Sequence, residues 1–408
     1  MTQLARRLGL LDAVVIGLGA MLGAGVFVVW APAAAAAGTA TGLMIALLLA
    51  AAVAACNAAS SARLAARYPE SGGTYVYGRE RLGPFAGFVA GWGFVVGKTA
   101  SCAAMALTIG FYLWPAAARP VAVVAVIALT AVNLRGITKT ALATRFLVGV
   151  TLLTLLSFSL LSFSSGTHKA SPEGIGTPLA AAGLIFFAFA GYARIATLGE
   201  EVTRPDRTIP RAIPIALGAV FLTYLLIAVA CIRVLGIPAL AASSAPLADV
   251  LTASGFSELS TLVRVGAGIA VCGVLLSLLA GVSRTALAMA RRRDLPAPLA
   301  GIHARWQTPW IAELVIAAIV IAVVSLADVR DAIGFSSLTV LTYYAVTNLS
   351  AWTLGGRWHL RAVAAAGLAG CLLLAATLPL PSVLSGLAVL LAGCAFYALR
   401  RLRSAPSR

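Results

Sequence analysis

About a dozen stretches of this chain stay apolar for roughly 17 residues or more, the length an α-helix needs to cross the hydrocarbon of a bilayer. They run Leu10 to Ala36, Thr41 to Ala66, Phe85 to Trp114, Pro120 to Leu134, Ala141 to Phe163, Leu179 to Leu198, Ala212 to Leu235, Leu259 to Ala290, Pro309 to Leu326, Ala332 to Leu354, Val363 to Leu378 and Val383 to Leu399. Lipid supplies no hydrogen-bond partners, so a crossing backbone must satisfy itself, as a helix or a closed barrel does. Runs of this length read as spanning helices, and the expected fold is an all-α integral membrane protein of about twelve transmembrane helices. Composition agrees, since only 11% of the 408 residues are charged, against about a quarter in soluble domains. The loops are short, so one transmembrane domain over residues 1–408 is expected.

The net charge of +17 invites a nucleic-acid reading, but its distribution argues for a lipid surface. With the N-terminus in the cytoplasm, the inner loops collect Arg6, Arg7, Arg63, Arg67, Arg79, Arg81, Arg135, Lys139, Arg145, Arg204, Arg207, Arg211, Arg284, Arg291 to Arg293, Arg305, Arg357 and Arg361, and the outer side keeps Arg119, Lys169, Arg233 and Arg330. That bias predicts a multi-pass protein of the cytoplasmic membrane, both termini inside, with no nucleic-acid partner. The start resembles a signal peptide, yet its apolar stretch is too long and carries Asp12. Cys56, Cys102, Cys231, Cys272, Cys371 and Cys394 fall inside spans without close pairing, and His168, His303 and His359 are far apart. Neither set suggests a disulfide framework or a metal site, and no cofactor is expected. No His, Asp, Glu or Cys constellation at membrane depth suggests an enzyme.

The first span, VVIGLGAMLGAGVFVVW, carries Gly17, Gly19, Gly23 and Gly25 around its middle. Glycine loses the most backbone entropy on ordering, so four of them predict a backbone that leaves the helix. The competing reading is close helix packing through Gly19 and Gly23, a GxxxG pair. Packing is the expected role of Gly83, Gly87 and Gly91 in the third span. A nucleotide-binding loop is not expected, because the P-loop lysine and a βαβ setting are missing. The sixth span, LIFFAFAGYARIATLGEE, holds a second small-residue interruption around Ala190 and Gly191, five spans later. Matched weak points in two halves point to an inverted repeat around a central substrate site. Amide groups freed near Met21 to Gly25 would suit a carboxylate, and carbonyls near Phe187 to Ala190 an ammonium.

GLGAMLGAGVFV after an arginine pair, RYPESGGTYVY after the second span, FFAFAGYARIATLGEEVTRPDRTIPRAI across the sixth and SRTALAMARRRDLP after the eighth resemble the amino acid, polyamine and organocation permeases over nearly the whole chain. The resemblance implies the LeuT-type fold, with spans one to five (residues 10–163) and six to ten (179–354) as an inverted repeat with discontinuous helices 1 and 6, and two peripheral helices (363–399). It implies a secondary transporter of amino acids or related amines working by alternating access, through proton coupling or exchange. It further implies that Ala20, Met21, Leu22, Gly23, Ala24 and Gly25 face the substrate carboxylate. Phe187, Ala188, Phe189, Ala190 and Gly191 would line the amine side, Phe187 lying where a gating aromatic often sits. Two departures stand out. Thr151 occupies the fifth-span position where many proton-coupled members have lysine, and Ala193 and Arg194 follow the sixth-helix glycine where an acidic residue is frequent.

Lys98, near the middle of the third span, should face the bundle interior and is a candidate for proton coupling. Arg194, with Glu200 and Glu201 beyond it, belongs either to the site or to an ion pair at the inner gate. Ser101 and Ser277 are candidate cavity groups, though helix serines more often bond their own backbone. The expected function is therefore a proton-coupled permease, with an exchanger lacking proton coupling as the alternative. A channel would need a continuous polar lining that the spans do not have, and a non-transporting scaffold would not need paired broken helices.

Overall fold

The computed structural model describes residues 8–68, 72–135, 140–164, 176–196 and 202–404. Its first span is three pieces, α1 (Leu10–Met21), α2 (Ala24–Val28) and α3 (Trp30–Ala37), followed by α4 (Ala40–Arg67), the short α5 (Thr74–Leu82), α6 (Pro84–Leu113), α7 (Ala118–Leu134) and α8 (Thr140–Ser164). The sixth span is α9 (Pro178–Phe189) and α10 (Ala193–Ala196), separated by a 3-10 turn. Then come α11 (Pro205–Ala242), α12 (Pro246–Ala253), α13 (Ser257–Arg291), α14 (Trp310–Leu326), α15 (Val329–Trp352), α16 (Trp358–Thr377) and α17 (Leu380–Ser404). Nine of these stretches are long and apolar enough to cross a bilayer. With the segmented first span, the shorter apolar α14 and the 24-residue α15, twelve crossings result, as expected.

Helix ends follow local chemistry. Thr39 caps α4 by accepting the Gly42 amide at 2.9 Å. Gly83, at φ +102°, makes the joint between α5 and α6, and Pro84 opens α6. Gly83 thus serves the joint, and a side chain there would meet open space, which corrects its assignment to packing. The stretch from Gly236 to Glu258, between two of the apolar runs, is largely helical. The helix α11 bends at Gly236 (φ +69°) and runs on to Ala242, and α12 then lies between spans with Leu247, Ala248, Val250 and Leu251 buried. Its proline start and apolar face make a helix too short to read as a crossing.

Neighbour relations in the first five spans recur in the next five. The second span packs on the sixth (α4 on α9) as the seventh packs on the first (α11 on α3), and the fifth packs on the first (α8 on α1) as the tenth packs on the sixth (α15 on α9). The fifth meets the eighth (α8 on α13) as the tenth meets the third (α15 on α6), and the fourth meets the eighth (α7 on α13) as the ninth meets the third (α14 on α6). Helices α16 and α17 lie beside this core, both against α15.

Between lipid-embedded helices the hydrophobic effect is weak, and small residues that admit close approach hold the bundle. At Gly87 a Cβ would run into Arg79 and come within 2.9 Å of the Tyr75 carbonyl, and at Gly91 it would lie 2.7 Å from the Tyr75 ring and 2.8 Å from Met289. Packing is therefore their role, as expected. The helix α5 is pinned there, since Tyr75 donates to Asp294 at 2.6 Å and Arg79 pairs with the same carboxylate at 2.7 Å. Burial and that carboxylate push the Tyr75 phenol above its ordinary value. Farther into the membrane, Asn348 of α15 donates to Asn57 of α4 at 2.6 Å, both fully buried.

Gly87→Val should lower the melting temperature of the detergent-solubilised protein by several degrees, corresponding to about 1–3 kcal/mol of overpacking. Gly149→Ala, where a Cβ meets nothing within 4 Å, should leave it unchanged or raise it slightly. Thermal unfolding followed by intrinsic fluorescence checks both, and equal behaviour of the two would contradict the packing assignment.

Candidate substrate site

The first span breaks where its glycines cluster. Helix α1 ends at Met21, Leu22 sits at φ −79°, ψ 43° and Gly23 at φ −92°, ψ −146°, and α2 restarts at Ala24. The last intact bond of α1 is Leu22 N–H to Leu18 O at 2.7 Å. From Met21 to Gly25 every residue is buried. A restarted helix leaves its first amides without intrahelical acceptors, so the α2 end presents donors.

The sixth span behaves differently from expectation. Non-helical backbone was expected over Phe187 to Gly191, but α9 stays α-helical through Phe189 and tightens into a 3-10 turn over Ala190 to Tyr192 before α10. The departure from α-geometry thus begins at Ala190 (φ −64°, ψ 3°), and the carbonyls it frees shift toward the C-terminus.

The two interruptions lie against each other. A Cβ on Gly25 would fall 2.6 Å from the Ala188 Cα, and one on Gly191 would fall 2.7 Å from the Met21 amide nitrogen. At Gly23 the nearest obstacle is a Val274 methyl on α13, at 2.9 Å. Glycine is therefore required at Gly25 and Gly191 for close approach, so packing and the break share these residues.

Carbonyls opened by a break inside a membrane need donors. Three tyrosines supply them. The Tyr224 hydroxyl on α11 lies 2.7 Å from the Met21 carbonyl and 2.9 Å from the Ala188 carbonyl, so a single proton is shared across both broken helices. Its ring sits between Trp30 and Phe189, with centroids at 5.9 and 4.9 Å. Tyr344 on α15 donates to the Ala190 carbonyl at 3.1 Å and stacks on Tyr192 at 5.0 Å. Tyr112 on α6 donates to the Phe27 carbonyl at 2.7 Å and accepts the Leu247 amide of α12 at 3.3 Å. None of the three was singled out in the sequence. The available signal was a tyrosine away from the interfacial belts, where a buried hydroxyl needs a partner.

Lys98 is buried, 9% exposed, and forms no salt bridge among the described residues. Ser101, one turn on, is 1% exposed and bonds the Ser336 hydroxyl of α15 at 2.7 Å and the Gly97 carbonyl at 3.2 Å. Thr151 is buried and bonds its own helix at the Leu147 carbonyl, 2.9 Å away. Arg194 is half-buried on α10, while Glu200 and Glu201 lie outside the described residues. Ser277 sits on an exposed face of α13 and joins none of the buried groups above, while Ser283 is buried and bonds the Leu279 carbonyl at 2.9 Å.

The family model for amino acid permeases matches residues 8–398. An uncharacterized transporter of Mycobacterium tuberculosis (strain ATCC 25618 / H37Rv) is 57% identical over 409 residues, covering 98% of this chain and 92% of that protein. The branched-chain amino acid permease of Bacillus subtilis (strain 168) is 25% identical over 339 residues, covering 76% of this chain and 72% of its own. The serine/threonine exchanger of the same organism is 25% identical over 325 residues, covering 76% and 74%.

Tyr224→Phe keeps the ring between Trp30 and Phe189 and removes the proton shared by Met21 and Ala188. Two buried carbonyls then lose a donor, which should destabilise the protein by about 1–3 kcal/mol. A thermal-unfolding curve identical to that of the parent would show that the hydroxyl does not hold the breaks.

Proposed function

The chain belongs to the amino acid permease family, and on that premise we propose that it is a secondary transporter of neutral amino acids working by alternating access at the paired breaks of its first and sixth spans. The observation that carries this reading is the junction at Leu22–Gly23 lying against the turn at Ala190–Tyr192, bridged by the Tyr224 hydroxyl. The amides of Ala20, Met21 and Leu22 are used within α1, so the substrate carboxylate meets those of Gly23, Ala24 and Gly25, where α2 restarts and the partial positive charge of a helix start attracts anions. The ammonium meets carbonyls between Phe187 and Gly191, displacing the Tyr224 proton from Ala188. Proteins with matched broken helices place substrates at the midplane between repeats, and residues 10–163 and 179–354 are the two repeats. The recurring neighbour relations support that division.

The centre is closed in this conformation, with Met21 to Gly25 and Phe187 to Ala190 all buried, so substrate enters by movement of the broken spans. Phe187 and Phe189 supply apolar surface beside the breaks. A cationic substrate would be repelled by Lys98. The basic loops put both termini on the cytoplasmic side of the cytoplasmic membrane. Lys98, buried without a salt bridge among the described residues, takes the coupling role that Thr151 cannot, by losing and regaining a proton as the cavity changes sides.

Purified protein in proteoliposomes should accumulate labelled neutral amino acids, faster with an inward proton gradient. Uptake that ignores the gradient but requires substrate inside the vesicle would make it an exchanger. No movement of any amino acid or amine would overturn the reading. Gly23→Leu should abolish substrate binding, and Gly23→Leu with Val274→Ala, which relieves the contact on α13, should restore thermal stability without restoring binding. Recovered affinity in the double variant would assign Gly23 to packing. Lys98→Met should remove gradient-driven accumulation while sparing exchange; accumulation equal to the parent would exclude Lys98 from coupling.

A further inference from the structure

At the end of the bundle that carries the N-terminus, a half-open pocket of about 240 Å³ is lined by Leu10, Thr203, Arg204, Arg207, Thr208 and Arg211. The three arginines fall at successive spacings of three and four along the start of α11, so they share one face. All three are exposed, and among the described residues the carboxylate paired with them is Asp206, 4.0 Å from Arg207 and 65% exposed. The hydroxyls do not compete for the pocket's charge, since Thr203 donates to the Leu8 carbonyl at 3.0 Å and Thr208 to the Thr203 carbonyl at 2.8 Å.

The same face of α11 continues from Arg211 into exposed Ile215, Leu222 and Leu226, at helical intervals that keep them in line. Leu10 and Leu11, beside the pocket, are also exposed, at 39% and 76%. A cationic pocket at the mouth of an apolar, outward-facing ridge has the layout of a phospholipid, with a charged headgroup above acyl chains. We propose that this pocket binds the phosphate headgroup of an anionic phospholipid, whose chains lie along Ile215, Leu222 and Leu226. Guanidinium groups pair with phosphate oxygens in a planar fork, which distinguishes such a site from general attraction to a negative surface.

The location gives the lipid a consequence. Leu8 pairs with Val202 in a parallel bridge, and the Thr203 amide donates to the Leu8 carbonyl at 2.9 Å. Segments flanking the first and sixth broken spans are thus joined at the pocket's edge. A bound headgroup touching Arg204 and Leu10 braces that joint.

The test is native mass spectrometry of the full-length protein in detergent, titrated with phosphatidylglycerol or, separately, phosphatidylcholine. The parent should retain phosphatidylglycerol in preference to phosphatidylcholine. Joint substitution Arg204→Gln, Arg207→Gln and Arg211→Gln should weaken the tightest phosphatidylglycerol by roughly a hundredfold, from about a fivefold share per arginine. Joint substitution Arg305→Gln, Arg357→Gln and Arg361→Gln, which removes the same charge elsewhere, should leave it within about twofold. If the triple pocket variant does not elute as folded protein, Arg211→Gln alone should still show the fivefold loss. Equal losses in the two triple variants would reduce the effect to net charge and overturn the proposal. So would equal retention of the two lipids, or displacement of phosphatidylglycerol by millimolar inorganic phosphate, which would make the pocket a site for a soluble anion.

Discussion

Carbonyls opened by breaking two helices inside a membrane are the constraint on which this architecture depends. Water cannot reach them in the closed conformation, and an unpaired buried carbonyl costs on the order of 1–3 kcal/mol. Tyr224 serves Met21 and Ala188, Tyr344 serves Ala190 and Tyr112 serves Phe27. The donors come from the seventh, tenth and third spans, so each break is held from outside its own helix. A tyrosine hydroxyl is well suited to this task, because rotation about one bond releases the acceptor. The same contacts that stabilise the closed state therefore leave the carbonyls available.

The ends of the bundle are closed by other means. On one side the buried face of α12 covers the centre, tied to it by the Leu247 amide on Tyr112 and held at its rim by Asp249, which accepts from Ser243 at 2.5 Å and lies 3.6 Å from Arg264. On the other side, α5 is fixed to the end of α13 by Tyr75, Arg79 and Asp294, and Leu8 is fixed to Val202. Few polar contacts hold either side, and on the second Tyr75 and Arg79 also pack against Gly87 and Gly91 of α6.

Much of this was legible in the sequence, for physical reasons that differ by element. Apolar length gave the crossings because the bilayer imposes it, and the glycine cluster marked the first break, although Gly17 and Gly19 lie within α1 and Gly25 also serves close packing. The sixth break was found but placed too early, since Phe187 to Phe189 carry no backbone signal separating an α-turn from the 3-10 turn that follows. The helix α12 was hidden because its buried face is visible only once the bundle beneath it exists. The tyrosines went unread because a lone hydroxyl gives no hint of its acceptor, which lies 203 residues away for Tyr224 and Met21. Lys98 was legible by its depth alone, whereas Ser277 shows that depth without a facing direction misplaces a side chain.

The most direct test of the central claim is an experimental structure of the protein with a transported amino acid bound. The account predicts the carboxylate on the amides between Gly23 and Gly25, the ammonium against carbonyls between Phe187 and Gly191, and the Tyr224 hydroxyl turned away from Ala188. Substrate density elsewhere, with Tyr224 still bridging Met21 and Ala188, would contradict it.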